Sequence, residues 1–144
     1  MATTVDANAL RAARQRKGLS QSQLARTLGL PGDKSISMWE REEYEPRHAY
    51  QLHQLAEVLD VPVASLLYRD QGKSDLRYLR LVAGLDSTEV AERLHVSLAT
   101  YRRWERGAWT RMPSDATIAG LAEAFRVGAG TVAAALTHTR ARAQ

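Results

Sequence analysis

The chain has 144 residues, 44% of them hydrophobic, and carries no cysteine. This length suits one ordinary domain or two small ones, and the absence of cysteine excludes disulfides and thiolate metal sites. No apolar run of about 18 residues and no signal-peptide pattern is present, so we expect a cytoplasmic protein. The net charge is +4, and arginine supplies every cation except Lys17, Lys34 and Lys73, which is compatible with a nucleic-acid partner or with merely solvated arginines.

The first 68 residues predict five helices. Apolar residues recur at helical spacing in DANALRAARQRKG, residues 6–18, and Ser20 is a good N-cap for a second helix that ends at Gly29. The third helix is expected from about Asp33 through Trp39 and Glu40. A fourth helix contains LAE at 55–57, and a short fifth begins near Pro62.

The same pattern occurs again in the second half of the chain. LSQSQLARTLGL at 19–30 aligns with LDSTEVAERLHV at 85–96, and LAEVLDV at 55–61 aligns with LAEAFRV at 121–127. The triplet Trp-Glu-Arg also appears twice, beginning at Trp39 and at Trp104. Such self-similarity predicts a duplicated unit. We therefore expect an all-α protein with domains at 1–68 and 74–136, a linker at 69–73, and a basic flexible tail at 137–144.

These motifs resemble the Cro and phage-repressor (XRE) family. The first copy carries LSQSQLARTLG, ISMWE and LHQLAEVLDV, and the second keeps the spacing of LDSTEVAERL together with YRRWERG. The second copy departs from the family pattern at Ser87 and His95. The resemblance implies two tandem five-helix helix-turn-helix domains in a prokaryotic, sequence-specific regulator of transcription, expected to be a repressor, that binds double-stranded DNA.

The two tryptophans of the repeated triplet, Trp39 and Trp104, are expected to be packing residues. Ile36 and Trp39 lie three residues apart on one helix face, as do Tyr101 and Trp104. The glutamates that follow, Glu40 and Glu105, border this face. The resemblance implies that they form partly buried ion pairs, Arg14 with Glu40 and Arg80 with Glu105.

The opposite face of each third helix is the candidate DNA-reading surface. Arginine can donate two hydrogen bonds to guanine, and apolar side chains can contact a thymine methyl group. By resemblance, the residues that open the two second helices would approach phosphates. The candidate DNA-binding residues are Gln21, Lys34, Ser37, Met38, Arg41, Ser87, Leu98, Ala99, Arg102, Arg103, Arg106 and Arg111.

The two copies differ in charge, which leaves two interpretations open. Residues 1–70 have no net charge and residues 71–144 carry +4, while Glu42, Glu43 and Glu45 follow the first third helix. Either both copies bind DNA, as a covalent pseudo-dimer, or one copy is a dimerisation or antitoxin-like partner-docking module. A homodimer that uses only one copy per half-site is a further alternative. We find no catalytic motif, cofactor motif or metal-ligand spacing, so an enzyme is not expected.

Overall fold

The computed structural model describes residues 4–69 and 72–143. These residues divide into two compact units, unit 1 up to Tyr68 and unit 2 from Arg69 onward. Helices account for nearly all regular structure in these residues; the exceptions are isolated bridge positions, among them a bridge between Val5 and Leu67. The all-α prediction is confirmed. Unit 1 contains α1 (Ala7–Arg16), α2 (Gln21–Thr27), α3 (Lys34–Glu40), α4 (Ala49–Leu59) and a 3-10 helix (Val63–Leu66). Unit 2 contains α5 (Leu76–Ala83), α6 (Ser87–Leu94), α7 (Leu98–Arg106), α8 (Asp115–Phe125) and α9 (Ala129–Ala143).

Unit 1 closes its core by joining its two ends. The side chains of Leu10, Leu24 and Ile36 are fully buried at its centre. The amide of Tyr68 donates to the carbonyl of Thr4 at 2.7 Å, beside the Val5 bridge. Because the fifth helix is only one 3-10 turn, the pairing between the two ends of unit 1 helps to cover its core.

Unit 2 closes its core with the long helix α9. Val132, Leu136 and Thr139 are buried, and the Thr139 hydroxyl oxygen accepts a hydrogen bond from the amide of Leu76 at 3.2 Å. That amide lies at the start of α5, where main-chain donors have no partner within the helix.

The expected flexible tail is helical in the structure. Helix α9 continues to Ala143, so residues 137–143 are helical and do not form the flexible tail that the sequence predicted. Burial of Leu136 and Thr139 holds α9 against the rest of unit 2. Residue 144 lies outside the described residues. Of the predicted linker, residues 70 and 71 also lie outside them, and the Arg69 guanidinium packs 5.6 Å from the ring centre of Tyr78 in unit 2.

The second helix of each unit begins and ends as its sequence indicates. Ser20 accepts from the amide of Gln23, and the Gln23 side chain accepts from the amide of Ser20, which forms a capping box. Asp86 forms the same box with Glu89. At the other end His95 adopts a left-handed conformation with φ 56°, which is costly for a residue with a Cβ atom.

A buried ion pair joins the first and third helices of each unit. Arg14 donates to both carboxylate oxygens of Glu40, at 2.7 and 2.9 Å, and Arg80 donates to Glu105 at 2.8 Å. Each arginine also donates, at 2.9 Å, to the carbonyl of the residue before the N-cap of the second helix, Leu19 or Leu85. One guanidinium therefore fixes three segments of each unit.

Glu40 stays ionised although its side chain is fully buried. Burial alone would raise the pKa of this carboxyl, but hydrogen bonds from Arg14, Gln21 and Arg11 and the charge of Arg14 hold its pKa below the ordinary value. A carboxylate with a lowered pKa in the folded state stabilises that state above its unfolded pKa of about 4.3. This contribution is lost as the pH falls through the lowered folded-state pKa.

We predict that Glu40→Ala destabilises the chain by about 3–5 kcal/mol, because it leaves Arg14 buried without its partner. The double variant Arg14→Ala with Glu40→Ala should cost less than the sum of the two single variants. Chemical denaturation near neutral pH measures all three. Additive costs would show that the pair carries no coupling energy.

The matched control is Glu57→Ala, which removes an exposed carboxylate from α4. It should change stability by no more than about 0.5 kcal/mol. The difference between the Glu40 and Glu57 variants should shrink in acid, once Glu40 is protonated in the parent chain. A difference that is independent of pH would contradict the assigned pKa.

Candidate nucleic-acid interface

Each unit contains a helix-turn-helix formed by its second and third helices. Aromatic or aliphatic side chains pack the third helix against the rest of the unit. Helix α2 packs against α3, and α6 packs against α7. Ile36 and Trp39 lie on the buried face of α3. Tyr101 lies fully buried on α7, and the ring of Trp104 meets it edge-on with 6.1 Å between the ring centres. This packing leaves the opposite face of each third helix open to solvent.

The exposed face of α7 is strongly cationic. Ala99, Arg102, Arg103 and Arg106 are exposed and follow the i, i+3, i+4, i+7 spacing of one helix face. Leu98 is partly buried at the start of this helix, and its N-cap Ser97 accepts from the amide of Thr100.

The arginines of α7 are not engaged by carboxylates. Within the described parts of the chain, Arg102, Arg103 and Arg106 make no side-chain hydrogen bond or ion pair, and neither does the exposed Arg111 in the loop that follows. Their guanidinium donors therefore remain available to an external acceptor such as a phosphate or a base edge.

The exposed face of α3 is different. Lys34 is exposed, whereas Ser37 and Met38 are partly buried. Arg41 caps the helix, donates to the carbonyl of Ser37 at 3.3 Å, and pairs with Glu43 at 3.5 Å. Its charge is therefore partly neutralised within the unit.

The residues that open the second helices also differ between the units. Gln21 is the first residue of α2, and its side-chain amide donates to Glu40 at 3.3 Å. A phosphate contact by Gln21 would have to share or replace that bond. Ser87 holds the equivalent position in α6 and is partly buried with a shorter reach.

Sequence reasoning missed three contributors to this region. Arg11 donates to the side chain of Glu40 at 3.3 Å and to its carbonyl at 3.1 Å, and its recurrence as Arg77 was a usable signal. Trp109 is buried with the Arg140 guanidinium 4.9 Å above its ring, in a loop that is longer than its counterpart in unit 1. The comparison of the two sequence copies gave no sign of the contact between Trp109 and Arg140.

Glu45 does not belong to the acidic surface after α3. Its carboxylate oxygen accepts hydrogen bonds from the amides of Thr4 at 2.6 Å and Val5 at 3.0 Å. Only Glu42 and Glu43 of the predicted acidic group are therefore exposed at the end of α3.

Comparison with models of protein families identifies the family to which the chain belongs. A model of the helix-turn-helix family matches residues 10–66 and again residues 76–131, which is more than half of the chain. The chain belongs to the XRE/Cro-like helix-turn-helix family. No curated protein and no solved structure matches it. This XRE/Cro-like chain is a tandem repeat of DNA-binding regulator domains.

No candidate metal centre is present in the described residues. They contain no group of three or more histidine or acidic side chains placed to hold a metal ion. No single helix there is long and apolar enough to cross a membrane, and the one helix pair that reaches this composition, α8 with α9, is bent by 104°.

We predict that Glu42→Gln with Glu43→Gln raises the affinity of the chain for duplex DNA, because it removes two carboxylates beside α3 and frees Arg41. The gain should shrink as salt is added, since exposed charges are screened over about 10 Å at 0.1 M. Fluorescence anisotropy across a salt series measures both effects. The control is Glu57→Gln with Glu123→Gln, which changes the net charge equally at exposed sites on α4 and α8. Equal gains for the two pairs would show that only net charge matters.

Proposed function

We propose that this XRE/Cro-like protein is a sequence-specific repressor of transcription that binds double-stranded DNA, with α7 as its main major-groove reader. The observation that carries the proposal is the contrast between the two third helices. The arginines of α7 are exposed and unpaired within the described residues, whereas Arg41 at the end of α3 is paired with Glu43.

The chemistry of the α7 face suits base-edge recognition. Arg102, Arg103 and Arg106 each carry a planar set of donors that fits the O6 and N7 acceptors of guanine. Leu98 and Ala99 supply apolar contacts for a thymine methyl group. Arg111 and Ser87 lie at the flanks, where contacts to phosphates position the reader without selecting sequence.

Unit 1 adds a weaker set of contacts in this proposal. Lys34, Ser37, Met38 and Arg41 form its reading face, and Gln21 contacts a phosphate by exchanging its bond to Glu40. Binding by two linked units raises the effective concentration of the second unit. Repression then follows from occupancy, because a protein bound over a promoter excludes the polymerase.

A second candidate function is favoured by the acidic residues after α3. Glu42 and Glu43 are exposed there, and carboxylates repel a duplex. In this alternative, unit 2 alone binds DNA and unit 1 is a dimerisation or partner-docking module. The number of helical turns protected by one chain separates the two functions.

We predict that Arg103→Ala with Arg106→Ala weakens binding to the selected DNA site by about 1–3 kcal/mol for each lost bidentate contact. Sites selected from random duplex DNA provide the probe, and anisotropy gives the affinity. The exposed pair Lys73→Ala with Arg93→Ala removes the same charge and should cost much less. Melting should be unchanged in both variants. Equal losses would reduce the role of α7 to net charge.

We further predict that one chain protects two successive helical turns of DNA, with half-site centres about 34–36 Å apart, as expected for two reading helices. Hydroxyl-radical footprinting with the protein concentration varied provides the measurement. Protection of one turn per chain, with occupancy that rises as the square of concentration, would favour the homodimer in which unit 1 does not read DNA.

A further inference from the structure

Unit 1 contains an open groove between α3 and α4 that the DNA-binding proposal does not use. A cavity of about 610 Å³ is bounded by Lys34, Met38, Tyr44, Arg47 and His48, among others. A second cavity of about 270 Å³ includes Leu28, Leu30, Tyr50 and Gln54. Trp39 and Gln51 line both cavities, so the two cavities adjoin each other, and we refer to them together as the groove.

The second unit shows that the fold does not require this groove. Gly120 of α8 lies in unit 2 where Gln54 of α4 lies in unit 1, and the missing side chain lets Leu94 pack 3.5 Å from where a Cβ atom of residue 120 would stand. In unit 1, Gln54 and the matching Leu28 instead line an open cavity.

The aromatic lining of the groove is also confined to unit 1. The rings of His48 and Tyr50 stack at 5.4 Å with an interplanar angle of 12°. Ser114 and Ala116 hold the equivalent positions in unit 2, where Ser114 caps α8. Because unit 2 folds without these rings, the stacked pair is not a requirement of the scaffold.

The groove combines flat rings with unpaired cations. Tyr44 and Tyr50 are 62% and 56% exposed, so both rings present apolar area to solvent at the groove. Lys34 and Arg47 are exposed and have no ion pair within the described residues. The carboxylate of Glu45 also borders the cavity, but it is engaged by two main-chain amides.

We infer that this groove is a binding site for a small ligand that carries a planar aromatic ring and an anionic group. The ring stacks on the His48–Tyr50 pair or on Tyr44, and the anion accepts hydrogen bonds from Lys34 and Arg47. The larger of the two cavities, about 610 Å³, lies within the range of small-molecule sites, about 300–1,000 Å³. Both a nucleotide and an aromatic carboxylate have this chemistry.

Ligand binding would compete with DNA at unit 1. Lys34 and Met38 line the groove and also belong to the reading face of α3. A ligand that occupies Lys34 withdraws it from phosphate or base contacts, so the site would act as a release switch. This second step rests on the proposed function, whereas the ligand site itself does not.

Indole N–H resonances of the full chain provide the direct test. Adenosine monophosphate and indole-3-acetate are the two anionic probes, and adenosine and indole-3-acetamide are their neutral counterparts. We expect a saturable shift of the Trp39 resonance, with Trp104 and Trp109 of unit 2 unmoved. The neutral probes should bind at least about tenfold more weakly, because they lose a charge-assisted hydrogen bond. A response to only one of the anions identifies the ligand source.

Two variants keep the test independent of folding. His48→Ser with Tyr50→Ala installs the residues that unit 2 already uses, and it should weaken probe binding at least about tenfold. Arg47→Gln should do the same, while Arg26→Gln, an exposed arginine of α2 outside the groove, should have no effect.

The site is overturned if neither anion shifts Trp39 saturably, if the neutral probes bind equally well, or if the variants bind like the parent chain. DNA affinity measured with and without the bound anion then tests the switch. If Trp39 shifts in the parent chain but DNA affinity does not fall, the ligand site stands and the proposed role of α3 in reading DNA fails.

Discussion

The buried arginine–glutamate pair is the constraint on which each helix-turn-helix depends. The arginine of the first helix reaches the glutamate at the end of the third and, with another donor, the carbonyl that precedes the second. A buried pair of this kind contributes little compared with well-packed apolar residues, yet it tolerates no loss of one partner. Its value here is geometric, because it holds the third helix at a defined angle to the rest of the unit without occupying the exposed face.

The duplication lets one scaffold carry two different surfaces. The ion pair, the capping boxes and the buried ring or aliphatic side chain beneath the third helix recur in both units. What differs is exposed: arginines on α7, acidic residues after α3, and an aromatic groove beside α4. Most residues that hold the fold are thus separate from the exposed residues that differ between the units. This separation is what allows one copy to change its surface without losing its core.

Much of the fold was predictable because its signals are local or repeated. Ser20 indicated a helix start through its side chain, and Ile36 and Trp39 indicated a buried face through their spacing. The ion pairs followed from recurrence and resemblance. The position of Glu45 was not predictable, because its partners lie some 40 residues away on the chain. The same holds for the packing of Arg140 on Trp109.

The end of the chain shows where composition misleads. Residues 137–143 are short of large apolar side chains, and their arginine content suggested a solvated tail. One threonine hydroxyl reverses that expectation, because Thr139 satisfies the otherwise orphaned amide of Leu76 while its methyl group is buried. No pattern within a few residues of Thr139 contains this information, since the partner lies at the start of α5.

In both units the hydrogen bond that completes the structure joins the beginning of the unit to its end: Thr4 with Tyr68, and Leu76 with Thr139. A domain whose termini lie side by side can be copied in tandem with a short connection, because neither copy has to stretch to reach the next. The same closeness makes each unit suited to circular permutation, with new ends opened in an exposed loop. Because the two ends of a single unit lie side by side, the unit can be duplicated in tandem with only a short connecting segment.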